Sequence, residues 1–194
     1  MRSGSKRISA NMRYIIIMIL LFALFTSGFS ISLPSLSTPE PSILYDVNGQ
    51  RISGLAERSG YSVDLEEISP YYLNAVIAVE DKNFRKHHGV DIGGILRAMF
   101  TNIRYRKIVE GGSTITQQTA KNIYLSNERT FVRKIKELYY AILLERKYSK
   151  DEILALYSNT IYFGEGAYGV EAAALTFFGA HASELDLAQA ALLA

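Results

Sequence analysis

Ser69-Pro70-Tyr71-Tyr72-Leu73-Asn74-Ala75-Val76-Ile77-Ala78-Val79-Glu80-Asp81 is the stretch on which the reading of this 194-residue chain turns. Serine followed by proline is a helix start: serine serves as N-cap, and proline takes the first helical position, where no N–H is needed. Leu73, Val76, Ile77 and Val79 supply the apolar positions, and the helix ends near Glu80. Downstream the periodicity stays helical. Asp91 caps a second helix, Ile92 to about Ile103. Gly111-Gly112-Ser113 opens a third, Thr114 to about Tyr124. Phe131, Ile135, Leu138, Ile142 and Leu143 mark one face of a fourth. Ser149-Lys150-Asp151-Glu152 is a capping box that starts a fifth, to about Ser158. Phe163 to Gly169 is a glycine-rich turn, and two apolar helices follow, Val170 to Phe178 and Glu184 to the end. The fold class is mainly α.

Upstream of Ser69 the pattern changes. Ile43-Leu44-Tyr45-Asp46 and Arg51-Ile52 flank Asn48-Gly49, a hairpin signal. Residues 34–41 are rich in proline and serine and form an extended linker. From Tyr14 to Thr38 no residue is charged, and Ile15 to Phe25 is almost wholly apolar, against the roughly 20 apolar residues that a membrane span needs. Arg2, Lys6, Arg7 and Arg13 precede it without an acidic residue. That asymmetry places residues 1–13 in the cytoplasm, a transmembrane anchor at 14–33 and the rest outside. A cleaved signal peptide competes with the anchor, since Thr26-Ser27-Gly28 supplies small residues. Residues 42–194 then form one globular domain. Its last residues, Ala190-Ala191-Leu192-Leu193-Ala194, lack a helix stop signal, so a longer parent chain is expected.

Composition excludes several chemistries. There are no cysteines, so a disulfide framework, a thiol nucleophile and a zinc–cysteine site are out. A net charge of +2 is too small to argue for nucleic acid. His87 and His88 are adjacent and His181 is remote, which gives no metal-ligand spacing.

Three segments can carry chemistry. Glu80-Asp81 places two carboxylates at the end of an apolar helix, where desolvation raises a carboxyl pKa towards the range useful for proton transfer; a solvated helix end is the plainer reading. Gly111-Gly112-Ser113-Thr114-Ile115-Thr116-Gln117-Gln118, with Lys121 a turn later, offers N–H groups, hydroxyls, amides and a cation to a phosphate or a sugar. A capped polar helix reads equally well. The nucleotide-binding spacing is absent. In Arg129 to Glu137, Arg133 shares a helix face with Glu137 and with Lys136; a solvated charged face competes.

Together these segments resemble one family. Glu80-Asp81-x-x-Phe84-x-x-His87-x-Gly89-x-Asp91 is similar to its first motif. Gly111 to Gln118 with Lys121-Asn122 resembles the second, and Arg133-Lys134-x-Lys136-Glu137 the third. Ile153-Leu154-x-x-Tyr157-x-Asn159-x-x-Tyr162-Phe163-Gly164 resembles the fourth, and Leu185-x-x-Ala188-x-x-Ala191-Leu192-Leu193-Ala194 the fifth. This is peptidoglycan glycosyltransferase family 51, the transglycosylase domain of class A penicillin-binding proteins and monofunctional transglycosylases. The resemblance covers roughly Ser42 to Ala194.

The resemblance implies a lysozyme-like, two-lobed helical domain with a small N-terminal β-hairpin, preceded by one transmembrane helix. It implies polymerisation of lipid II onto a growing glycan strand, with inversion and release of undecaprenyl pyrophosphate. Glu80 would be the base and Glu137 the second catalytic carboxylate. Lys121 and Arg129 would bind the pyrophosphate. Asp81, Phe84, Arg97, Ser113, Gln117, Gln118, Arg133 and Lys136 would line the substrate. No tightly bound cofactor is implied; Mg²⁺ or Mn²⁺ near Glu80 would be held mainly by substrate phosphates. The expected partners are the membrane, through the basic-apolar stretch Phe100 to Ile108, and proteins of cell-wall synthesis and division. The expected location is the bacterial cell membrane, with the catalytic domain extracytoplasmic. The hairpin leans the reading towards a bifunctional parent. A lysozyme-like glycan-cleaving enzyme and an inactive membrane-anchored scaffold are the rivals. The basic set Lys121, Arg129, Arg133 and Lys136 argues against cleavage, which has no diphosphate to neutralise.

Overall fold

The computed structural model describes residues 33, 46–48, 62–126, 128 and 130–194. The expected cytoplasmic segment 1–13, the anchor at 14–33 apart from Leu33, the linker 34–41, both arms of the N-terminal hairpin and Arg129 lie outside the described residues. Within that hairpin only the turn at 46–48 is described. There the Asp46 carboxylate accepts from the Asn48 N–H at 2.9 Å, an Asx-type turn. No helix of the described residues is long and apolar enough to cross a membrane. Residues 1–33 and 34–194 separate as two units, and all the described helices and strands belong to the second.

Among the described residues there are seven α-helices and one two-stranded sheet. The helices are α1 (Pro70–Glu80), α2 (Ile92–Tyr105), α3 (Ile115–Tyr124), α4 (Phe131–Lys147), α5 (Lys150–Thr160), α6 (Val170–Phe178) and α7 (Leu187–Leu193). Side chains set most of the starts. Asp91 accepts from the Gly94 N–H at 2.9 Å and begins α2. Thr114 and Gln117 cap each other's N–H groups at the start of α3, so this helix begins one residue later than its sequence suggests. Thr130 and Ser149 cap α4 and α5. Each cap is worth about 1 kcal/mol.

Three expectations need correction. Ser69 precedes α1 but does not cap it: its hydroxyl donates to the Leu185 carbonyl at 2.7 Å and its N–H to the Ala182 carbonyl at 2.9 Å. That contact ties α1 to the C-terminal part of the domain, and α1 packs on α7. The terminal helix does not begin at Glu184. Residues Ala182–Glu184 form a 3₁₀ turn, and Asp186 then opens α7 by accepting from the Gln189 N–H at 2.8 Å. The glycine-rich turn contains an antiparallel hairpin, β1 (Tyr162–Gly164) with β2 (Ala167–Tyr168). Tyr162 and Tyr168 pair across it with ring centroids 4.6 Å apart. Its tip, Glu165-Gly166, takes positive φ at both positions, which matches the strand twist of a tight hairpin.

The core centres on α3, which packs against α4 and α5. Ile115, Ala120, Leu144, Ile153 and Leu154 are fully buried; a side chain of leucine size so buried contributes roughly 1.5–3 kcal/mol. Ala172, Ala173 and Ala174 let α6 approach its neighbours closely. Gly169 is held at φ +83, and a Cβ there would meet the Asn159 carbonyl oxygen at 2.9 Å. α2 differs from the rest: among the described residues it packs closely on no other helix.

Candidate active site

The C-terminus of α1 and the N-terminus of α3 meet through one buried carboxylate. Asp81 Oδ2 accepts from the Ile115 N–H at 3.1 Å and from His87 Nε2 at 2.8 Å. His87 Nδ1 accepts from the Gly89 N–H at 3.2 Å, so the network assigns the imidazole proton to Nε2. Thr114 closes the loop by donating to the Gly89 carbonyl at 2.7 Å. The turn from Asp81 to Gly89 and the start of α3 are therefore a single hydrogen-bonded unit. Phe84, expected to line the substrate, lies wholly inside this turn. Lys150 Nζ sits 4.5 Å from its ring centroid. Phe84 supports the site from beneath.

Glu80, the last residue of α1, stands at the edge of this unit. It is half-buried, and its Oε2 accepts from Gln118 Nε2 at 2.5 Å. Behind it, burial pushes the Tyr157 phenol up, and the negative charge of Glu80 pushes it further. Tyr72 is raised by burial and by Tyr157. Both phenols therefore stay protonated next to the carboxylate. A small open cavity lies in front, lined by Glu80, Asp81, Asp91, Arg97, Ser113 and Thr114, among others. The Asn83 amide and the Gly94 N–H hold Asp91 below the ordinary carboxylate range. Arg97 is exposed and ion-paired with Glu110 at 2.8 Å.

A second polar group lies on α4. Glu137 is only 3% exposed, yet it is clamped between two cations. One oxygen binds Arg133 Nη1 at 2.6 Å, and the other binds Lys134 Nζ. Lys134 also donates to Ser113 Oγ at 2.9 Å, so Ser113 joins the cavity beside Glu80 to the cations on α4. Two cations against one carboxylate leave the group net positive. Gln117 Nε2 and Arg133 Nε are buried donors without a protein partner among the described residues. Buried donors of this kind demand an acceptor.

The expected site residues thus divide. Glu80, Asp81, Ser113, Gln117, Gln118, Arg133 and Glu137 gather around the start of α3. Lys121 is half-buried on α3 with no carboxylate partner among the described residues. Lys136 is exposed; the inward cation is Lys134, which the third motif contains but the expected substrate-lining set does not. Its signal was the spacing of three to Glu137. Among the described residues no group of three His, Asp or Glu side chains can hold a metal. Asp81 and Asp91, which line the cavity with Glu80, are already committed to N–H donors. Among the described residues, side chains do not themselves build a divalent-cation cage.

The sequence model of the transglycosylase family matches residues 48–194. The chain belongs to the transglycosylase family. Penicillin-binding protein 1A of Aquifex aeolicus is 48% identical over 162 residues, which is 84% of this chain and 22% of that protein. Penicillin-binding protein 2D of Bacillus subtilis is 45% identical over 83% of this chain and 23% of its own length. Penicillin-binding protein 1A of Escherichia coli is 46% identical over 79% of this chain and 18% of its own. The chain spans about a fifth of the length of these transglycosylase relatives. The matched region contains every described element of the site.

Proposed function

We propose that this transglycosylase domain polymerises lipid II into glycan strands, with Glu80 as the base. The observation that carries the reading is Ser113, which lines the cavity beside Glu80 and accepts from Lys134 of the cationic group on α4. A base and an anion site thus sit on opposite sides of one residue. Glu80 takes the proton of the acceptor's GlcNAc 4-hydroxyl as that oxygen bonds to C1 of the donor's MurNAc. The bond from C1 to the phosphate oxygen breaks, and undecaprenyl pyrophosphate leaves. Arg133 and Lys134, together with Lys121 and Arg129, neutralise the leaving diphosphate, and the unpartnered N–H groups of Gln117 and Arg133 suit phosphate oxygens. Donors aimed where charge develops lower the barrier. The clamped state of Glu137 supports a single displacement with inversion, because a carboxylate bound to two cations makes a poor nucleophile. Its role is to hold Arg133 and Lys134. Mg²⁺ or Mn²⁺, where used, would be held by the substrate's phosphates.

The same reading covers the surroundings. The domain is lysozyme-like and two-lobed, residues 14–33 anchor it, and it works on the outer face of the bacterial membrane beside other proteins of cell-wall synthesis and division. The names of the relatives support a place in a class A penicillin-binding protein. α2 exposes Ile92, Leu96, Met99, Phe100 and Ile103, and Arg104, Arg106 and Lys107 are exposed at its end. An apolar face edged by cations suits an anionic lipid surface, where the substrate is tethered.

Glu80→Gln tests the mechanism. Lipid II polymerisation should fall by about 10²–10⁴-fold, the range for loss of a general base, with an unchanged circular dichroism spectrum. Full activity in a sound preparation would refute the assignment. Release of soluble fragments from preformed glycan would favour the hydrolase, and inactivity of the natural chain in both assays the scaffold.

A further inference from the structure

The segment between α2 and α3 contains neither helix nor strand, yet its backbone is closely held. Asn102, on α2, accepts from the N–H groups of Val109 and Glu110 at 2.6 and 3.0 Å, and its amide donates to the Glu110 carbonyl at 2.9 Å. One side chain here does the work of a neighbouring strand. Arg97, also on α2, adds the ion pair to Glu110. Gly112 then runs directly over the helix: a Cβ there would lie 3.2 Å from Ile95 Cα and 3.6 Å from Ala98 Cβ. One residue further, Ser113 and Thr114 enter the site through Lys134 and Gly89. The segment therefore hangs from α2 at one end and reaches the cavity beside Glu80 at the other.

α2 itself is held by little else. It packs closely on no other helix among the described residues, and Phe100 and Ile103 are 67% and 68% exposed. Ile108 and Val109, on the segment, are exposed too. The apolar surface and the segment that reaches the site are continuous.

We propose that Asn102 is a positioning residue: it couples α2 to residues 109–113, so that seating the apolar face of α2 in lipid fixes Ser113 relative to Glu80. The proposal rests on the reading of the site as a lipid II polymerase, and it predicts that lipid acts on substrate binding and not only on enzyme location. In the whole chain, Asn102→Ala should raise KM for lipid II about tenfold while kcat changes less than about threefold. Binding to phosphatidylglycerol vesicles should be unaltered, but the stimulation of activity by those vesicles should be lost. Asn102→Asp keeps the acceptor for both N–H groups and should recover part of the effect. A merely structural role would instead lower kcat through a smaller active fraction and leave vesicle stimulation in place; that result, or an unchanged KM, overturns the proposal. Hydrogen exchange separates the coupling from the activity. Vesicles should slow exchange of the Val109 and Glu110 amides in the natural chain and not in Asn102→Ala. Exchange indifferent to vesicles overturns the coupling even where polymerisation is seen. A natural chain that shows the exchange effect but makes no polymer overturns only the reading of the site.

Discussion

α2 and α3 are neighbours in sequence and opposites in burial. α3 buries Thr116, Gln117 and Thr119, and α2 leaves Ile92, Leu96, Met99, Phe100 and Ile103 in solvent. Each inverts the usual sorting of side chains, for a different reason. The polar side chains of α3 find partners inside the fold: Thr116 donates to Glu145 at 2.6 Å, Thr119 donates to the Ile115 carbonyl at 2.9 Å, and the Gln117 amide oxygen accepts from the Thr114 N–H. These bonds offset much of the cost of burying them, while the Gln117 Nε2 stays without a partner among the described residues. The apolar groups of α2 stay largely in solvent, with Phe100 67% and Ile103 68% exposed. A buried polar helix marks an organised interior site, and an exposed apolar helix face marks a candidate docking surface.

If that contrast is right, the two helices respond oppositely to a change of polarity. Thr116→Val makes α3 more apolar but removes a hydrogen bond to Glu145, whose side chain is 6% exposed. Bonds to buried charges contribute about 1.5–3 kcal/mol, and urea denaturation should show a loss of that size. A stability gain on Thr116→Val would break the comparison. Phe100→Ser with Ile103→Ser makes α2 more polar. Stability should change by less than about 0.5 kcal/mol per site, as for ordinary surface positions, while the slowing of α2 amide exchange by phosphatidylglycerol vesicles should be lost. A large loss of stability would show that the face packs inward. The smallest effect sharpens the rule that burial of both partners sets the magnitude. Glu171 on α6 is buried, but its partner His181, 2.7 Å away, is largely exposed. The hydrogen bond and charge of Glu171 hold the His181 pKa above its ordinary value of 6.5. This contribution is complete below the unfolded-state pKa and disappears as pH rises through the folded one. The Tm difference between the natural chain and His181→Gln should therefore be small, larger at about pH 5.5 than at pH 8.5. The opposite slope would mean that Glu171 does not hold the charged imidazole.

The same contrast explains what could be read in the sequence. Helices were legible because caps and periodicity are local: Asp91, Ser149 and the run Phe131 to Leu143 announce their elements. The hairpin at Tyr162–Tyr168 was hidden because two and three residues are too few to show an alternation, and its glycines read only as a turn. Ser69 has the right spacing for a cap, but tertiary contact with Leu185 takes its hydroxyl. In the site, the ion pair of Arg133 with Glu137 followed from a spacing of four. Lys134 has a spacing of three to Glu137, but nothing local sets it apart from Lys136; the contact that does, with Ser113, spans 21 residues of sequence. The burial of Phe84 was equally invisible, since a motif records that a residue belongs to a site and not on which side of it the residue stands.

Arg106 stops α2 in the left-handed region at φ 51, where glycine is the usual occupant and a side chain costs about 1 kcal/mol. Anyone screening this protein for heat resistance or soluble yield would find Arg106→Gly attractive. The winning variant would have lost a cation from the edge of the exposed apolar face of α2. With that face docked on lipid as proposed, selection for stability and selection for work on a membrane rank this position in opposite orders, and a stabilised version for structural study should leave the arginine in place.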